Sequence, residues 1–201
     1  MPWIRRLPLA LALALAACAK KPPAESPATQ PGGQLSIERL LPLQQNTVFM
    51  YETFSQETNE HGIAVYEVTR PRATLAELRL AGQIKKRYYV GPDGLKSPTG
   101  GFLLKAPIAD GAEWQGEDGK VQVTAINEHI QVPAGDFSGC VRTVEQADTA
   151  NASRKMTTVF CPGVGMTWFQ LEGQINGQPM LERLSLKSFG PRFVAGPPQG
   201  I

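Results

Sequence analysis

Residues suited to nucleophilic or metal chemistry are scarce: the 201 residues include two histidines and three cysteines. No C-x₂-C pair and no G-x-S-x-G occurs, so the local spacing of common zinc sites and the nucleophile elbow of α/β-hydrolases are both missing. Charge of one sign is equally short. Lys plus Arg number 20 against 18 Asp plus Glu, a formal net charge of +2, which argues against nucleic acid as a partner, since that requires a clustered basic face. The apolar run at the N-terminus, Leu7–Ala17, falls well short of the ~20 residues that span a bilayer as a helix. What is abundant is turn material, 20 glycines and 17 prolines, beside a hydrophobic content of 42%. That composition supports a packed, turn-rich β protein and speaks against a helical bundle or wholesale disorder.

Arg5 and Arg6 precede the apolar run, which ends in small residues, the pattern of a secretory signal peptide over residues 1–17. The run closes on Leu15-Ala16-Ala17-Cys18, a tetrapeptide that resembles the lipobox of bacterial lipoproteins. The resemblance implies cleavage before Cys18, a diacylglyceryl group on its thiol, and an acyl chain such as palmitate on the new amine. Several acyl chains give stable membrane anchoring at ~0.8 kcal/mol per buried CH₂. Ala19 stands where an Asp would imply inner-membrane retention, so the implied location is the outer membrane, facing the periplasm. Cleavage removes Arg5 and Arg6, leaving 18 basic against 18 acidic residues. A neutral body is not drawn to anionic lipid; the acyl chains do the anchoring.

Residues 19–34, AKKPPAESPATQPGGQ, form with Cys18 a lipidated, disordered Pro-rich tether that reaches about 20–24 Å as a coil or about 50 Å as polyproline II. Residues 190–201 are again rich in Pro and Gly and read as a flexible tail. Between them, 35–189 is one domain. Nine or ten short strands are expected, with turns at Asn59–Gly62 and Gly91–Gly94. A short helix fits Ser36–Leu41, capped by Ser36 with Glu38 following. The expected fold is all-β or mainly β, a single antiparallel curved sheet or half-barrel, or a small sandwich. One internal echo relates Pro42–Phe49 to Pro107–Trp114: Pro, an apolar residue, Asn or Gly four residues on, an aromatic seven residues on. It is compatible with two similar half-sheets or with two unrelated loop-to-strand transitions.

Val132-Pro133-Ala134-Gly135 suits a tight turn pairing 120–132 with 137–146. If the next hairpin is symmetric about a loop flanked by Gln146 and Lys155, Cys140 falls opposite Cys161. Opposed antiparallel residues lie within disulfide reach, and an oxidising compartment permits the bond. The 120–132/137–146 pairing sets Val132 opposite Phe137 and His129 opposite Cys140, and a competing reading takes the resulting row of His129, Cys140 and Cys161 as a zinc or thiol-catalysis cluster. Against it stand the absent local ligand spacing and the lack of a fourth ligand. No metal and no cofactor are expected.

The stretch VPAGDFSGCV (132–141), with FCPGVG (160–165), resembles a group of poorly characterised bacterial envelope proteins, many of them lipoproteins, that carry V-P-A-G-x-F and P-G-V-G around successive strands. The lead-in Leu104–Trp114 is similar to theirs. The resemblance implies a curved sheet or half-barrel like that of lipoprotein carriers, and it supplies no catalytic residue. Cys161 departs from the group, where a small residue is usual, and so does Met166-Thr167. Physically, Pro162 ends a ladder, while Gly163 and Gly165 allow positive φ or close approach of another segment.

The expected function is that of a membrane-tethered, non-enzymatic envelope module that binds a hydrophobic ligand or a protein partner. The alternatives are an assembly subunit of an outer-membrane machine and a periplasmic hydrolase. For the hydrolase, the acids Glu113, Glu117, Asp118 and Asp136 sit mostly in turns, where solvated polar residues are expected. Phe49, Tyr51, Trp114, Trp168 and Phe169 are expected mainly in the core.

Overall fold

The computed structural model describes residues 35–149 and 152–192. Cys18, the signal peptide and the tether lie outside them. Twelve antiparallel strands form one sheet: β1 (Thr47–Ser55), β2 (Glu60–Arg72), β3 (Leu75–Leu80), β4 (Gln83–Gly91), β5 (Gly94–Lys96), β6 (Phe102–Lys105), β7 (Glu113–Gln115), β8 (Lys120–Val132), β9 (Gly135–Asp148), β10 (Ala152–Cys161), β11 (Gly165–Ile175) and β12 (Gln178–Pro191). The sheet is a nearly closed barrel. Two meanders of six strands each, β1–β6 and β7–β12, meet where β1 pairs with β12.

The strand count exceeds the nine or ten expected, because β5 and β7 are three residues long and too short for alternation to register. The first hairpin also turns earlier than expected. Its bend ends at Asn59, which adopts φ 52°, and Glu60, His61 and Gly62 already belong to β2. At the other end, β12 continues to Pro191, two residues into the stretch read as tail.

The echo has a physical basis. Asn46 (φ 63°) and Gly111 (φ 72°) both take the left-handed conformation. Each donates its N–H to the second strand of its own half, Asn46 to Val68 O at 3.0 Å and Gly111 to Val123 O at 3.0 Å. Each then leads to a buried aromatic, Phe49 or Trp114. The same turn therefore opens both half-sheets.

One end of the barrel is plugged. Helix α1 (Ile37–Leu40) is capped by the Ser36 hydroxyl, which accepts the Arg39 N–H, and it buries Leu40 and Leu41. The Pro162–Gly165 turn between β10 and β11 seats against it. Gly163 N–H donates to Arg39 O at 2.6 Å. At Gly165, where φ is 110°, an added Cβ would lie 3.1 Å from the Phe49 ring and 3.2 Å from Leu41. Both uses of glycine read from the motif, left-handed backbone and close approach, are present at this one residue.

The β8–β9 hairpin is a long arm. Pro133 and Ala134 form its two-residue turn, with Val132 opposite Gly135. The tip reaches β12: Ala134 N–H donates to Leu186 O at 2.9 Å, and Phe137 meets Phe189 edge-on with ring centres 6.3 Å apart. The disulfide Cys140–Cys161 (Cα–Cα 4.2 Å) fastens the arm to the end of β10. The β9–β10 register has the symmetry that reading required: Lys155 faces Gln146 and Phe160 faces Val141. The β8–β9 register departs from the expected pairing at the turn itself: β9 starts at Gly135, and Phe137 faces Ile130 instead of Val132. One irregularity, between Glu128 and Ile130, then sets Cys140 opposite Glu128. His129 is exposed, and no row of His129, Cys140 and Cys161 exists.

Candidate ligand cavity

The barrel encloses a cavity of about 310 Å³, inside the ~300–1,000 Å³ range of small-molecule sites. Its polarity is layered, because alternate residues of each strand point inward. Along β9 the inward residues run Val141, Thr143, Glu145, and along β10 they run Phe160, Thr158, Met156. Val141 and Phe160 are fully buried at the plugged end, with Leu41, Phe49 and Met166 beside them on the cavity wall. On β4, Tyr88 lies deeper than Lys86. At the far end Glu117 and Asp118 reach solvent, their side chains 32% and 36% exposed, and mark the mouth.

The mouth is built by the β7–β8 turn folding over the rim. The Glu145 carboxylate accepts the N–H groups of Asp118 and Gly119, at 2.7 and 2.8 Å. Lys86 Nζ donates to Glu117 at 2.7 Å, and Arg154 lies 3.5 Å from Asp118. Glu182 of β12 also lines the cavity and has no ion-pair partner among the described residues. Four carboxylates against two cations leave the rim acidic.

Beneath the rim lies a band of hydroxyls. Tyr88, Thr143 and Thr158 are each more than nine-tenths buried and all line the cavity. Their hydroxyls have no hydrogen-bond partner among the described residues, yet they are not sealed in the wall, where Arg79 Nε is the sole orphaned side-chain atom among those residues. They therefore face the void. Buried polar groups are rarely left unpaired. Tyr51, by contrast, donates to Met166 O at 3.0 Å. Burial pushes the Tyr51 and Tyr88 phenols far up, with the Glu117 and Glu145 carboxylates adding to the effect at Tyr88. Both stay neutral donors at any physiological pH.

The residues singled out from sequence divide sharply. Phe49, Tyr51 and Phe169 line the cavity. Trp114 lies at the β6–β7 seam, and Trp168 is on the outer wall, 5.7 Å from the Arg142 guanidinium. Cys140, Cys161, Pro133, Gly135, Pro162, Gly163 and Gly165 shape the arm and the plug and do not line the cavity. Of the four acids, Glu117 and Asp118 reach the rim, Glu113 pairs with Lys120 at 2.6 Å on the outside, and Asp136 is exposed on β9. Lys86, Glu145, Glu182, Tyr88, Thr143 and Thr158 were not foreseen. As polar residues at inward positions they look like surface in the sequence, and only the registers of β4, β9, β10 and β12 would have placed them.

Across the described residues no group of His, Cys, Asp and Glu could hold a metal ion, and no helix is long and apolar enough to cross a membrane. No protein-family model matches the chain, and no curated protein matches it in sequence. Two solved structures are similar to it. One is a candidate exported protein with a YmcC-like fold from Bacteroides fragilis, at 12% identity and TM-score 0.45, covering 75% of this chain and 98% of the other. The second is a candidate lipoprotein from Parabacteroides distasonis, at 12% identity and TM-score 0.36, with the same coverage of each chain.

Proposed function

We propose that this chain is a lipid-anchored module of the bacterial cell envelope that holds a hydrophobic ligand inside its barrel and performs no chemistry on it. The observation that carries the reading is the 310 Å³ cavity, floored by Leu41, Phe49, Phe160 and Met166, plugged at one end and open at the other. Leu35, the first described residue, packs on the core next to α1 at the plugged end. Anchoring through Cys18 by the Pro-rich tether keeps the body near the membrane and leaves it free to present the mouth to whatever delivers or receives the ligand. The outer membrane, facing the periplasm, is the location in keeping with Ala19.

Mass spectrometry of natively extracted protein tests this reading. The expected result is a chain beginning at an acylated Cys18 and a retained apolar molecule. A mature chain beginning elsewhere would overturn the anchor. A cavity that neither retains a lipid nor takes up a fluorescent naphthylamine probe would overturn the ligand. An accessory-subunit reading draws on a different observation: Ile63 and Val65 of β2 are 53% and 40% exposed on the outer wall. Photo-crosslinking from position 63 in cells, giving one discrete protein adduct, would favour that reading.

A further inference from the structure

We propose that the cavity is built for a single-chain ester or amide amphiphile with an uncharged or cationic head, and that it discriminates against free fatty acids. This rests on the hydrophobic-ligand reading and narrows it.

Three layers on the wall match three parts of such a molecule. The apolar floor of Phe49, Phe160 and Met166 takes the end of the chain. The unpartnered hydroxyls of Tyr88, Thr143 and Thr158 can donate to ester or amide oxygens at the neck. The rim carries Glu117, Asp118, Glu145 and Glu182. Its cations are already engaged, Lys86 by Glu117 at 2.7 Å and Arg154 by Asp118 at 3.5 Å, so a ligand carboxylate would meet carboxylates with no free counter-charge. Size fixes the chain number: a cavity of about 310 Å³ lies at the small end of the ~300–1,000 Å³ range and has no room for a two-chain lipid.

The test is displacement of a neutral naphthylamine probe at pH 7.5 by monolaurin, dodecylamine and laurate, which share one chain length. Monolaurin and dodecylamine should displace the probe at concentrations roughly tenfold or more below laurate. Glu182→Lys should strengthen laurate and weaken dodecylamine while leaving monolaurin nearly unchanged. Thr143→Val with Thr158→Val keeps the shape and removes two donors, so monolaurin alone should weaken, by about tenfold. Equal displacement by all three amphiphiles overturns the head-group preference while the hydrophobic-ligand reading stands. A threonine variant that binds monolaurin as before means the hydroxyls face water only and overturns the neck assignment. If the probe itself never binds, both the reading and this inference fall.

Discussion

Trp114 and Phe102 close the barrel where no strand ladder does: the indole Nε1–H of β7 donates to the Phe102 carbonyl of β6 across 3.0 Å. Beside them the backbone comes closer still, and a Cβ on Gly101 would lie 1.9 Å from Gly116 O. Trp114→Phe keeps most of the apolar bulk and removes this bond. The expected cost is about 1–2 kcal/mol, read from urea unfolding, with faster amide exchange concentrated in β6 and β7. Uniform acceleration across all twelve strands would show that the seam is not a local closure.

The Cys140–Cys161 bond closes a loop of 21 residues, for which chain entropy predicts about 3 kcal/mol. A Cys140→Ala, Cys161→Ala double variant should lose that amount in guanidinium titrations. Reductant should weaken the native protein similarly and leave the double variant unaffected. Equal midpoints with and without reductant would remove the bond from the stability of this fold.

Gly165→Ala should cost about 1–3 kcal/mol, because φ 110° strains any side chain and the new methyl crowds Phe49 and Leu41. As the displaced groups floor the cavity, probe affinity should fall together with stability. Unchanged affinity in the folded variant would separate plug from cavity.

Glu77, buried on the outer wall, accepts from Arg79 at 2.8 Å and Arg87 at 2.9 Å. Those guanidinium groups hold its carboxyl below the ordinary value of 4.5, against the opposing effect of burial. A depressed folded-state pKa gives stability that is fully present above pH 4.5 and is lost as the pH falls through the folded value. Glu77→Gln should therefore be less stable than the native protein at pH 7, and the gap should shrink toward pH 3, as followed by urea midpoints. A gap independent of pH would mean that the ion pairs contribute nothing.

The sequence was most legible where the backbone is regular. The Cys140–Cys161 pairing follows from the even β9–β10 hairpin, in which no residue is inserted. The β8–β9 pairing could not be read the same way, because irregularities between Val123 and Ile130, with Asn127 at φ 59°, shift the partners. The Ser36 cap and the short helix were visible as a local signal, but the helix's role as a plug was not, since it depends on Gly163 and Gly165 arriving from 125 residues away. The cavity was hidden for a chemical reason. Its wall carries Lys86, Thr143, Glu145 and Thr158 at inward positions, which breaks the apolar alternation that marks a core-facing strand. The barrel's closure rests on Trp114 and on β6 and β7, strands of four and three residues, too little pattern to separate from loop.

The pairing of β1 with β12 governs when this protein can fold. Every other ladder joins neighbours along the chain, so each half can zip up hairpin by hairpin as it emerges. The last ladder needs residues 47–55 to find residues 182–191, a search across nearly the whole domain and the slow kind of step. Until the final strand is available, the interior stands open to water along one side. A polypeptide arranged this way stays unsealed while it is being threaded through a pore and shuts only after its last strand has arrived.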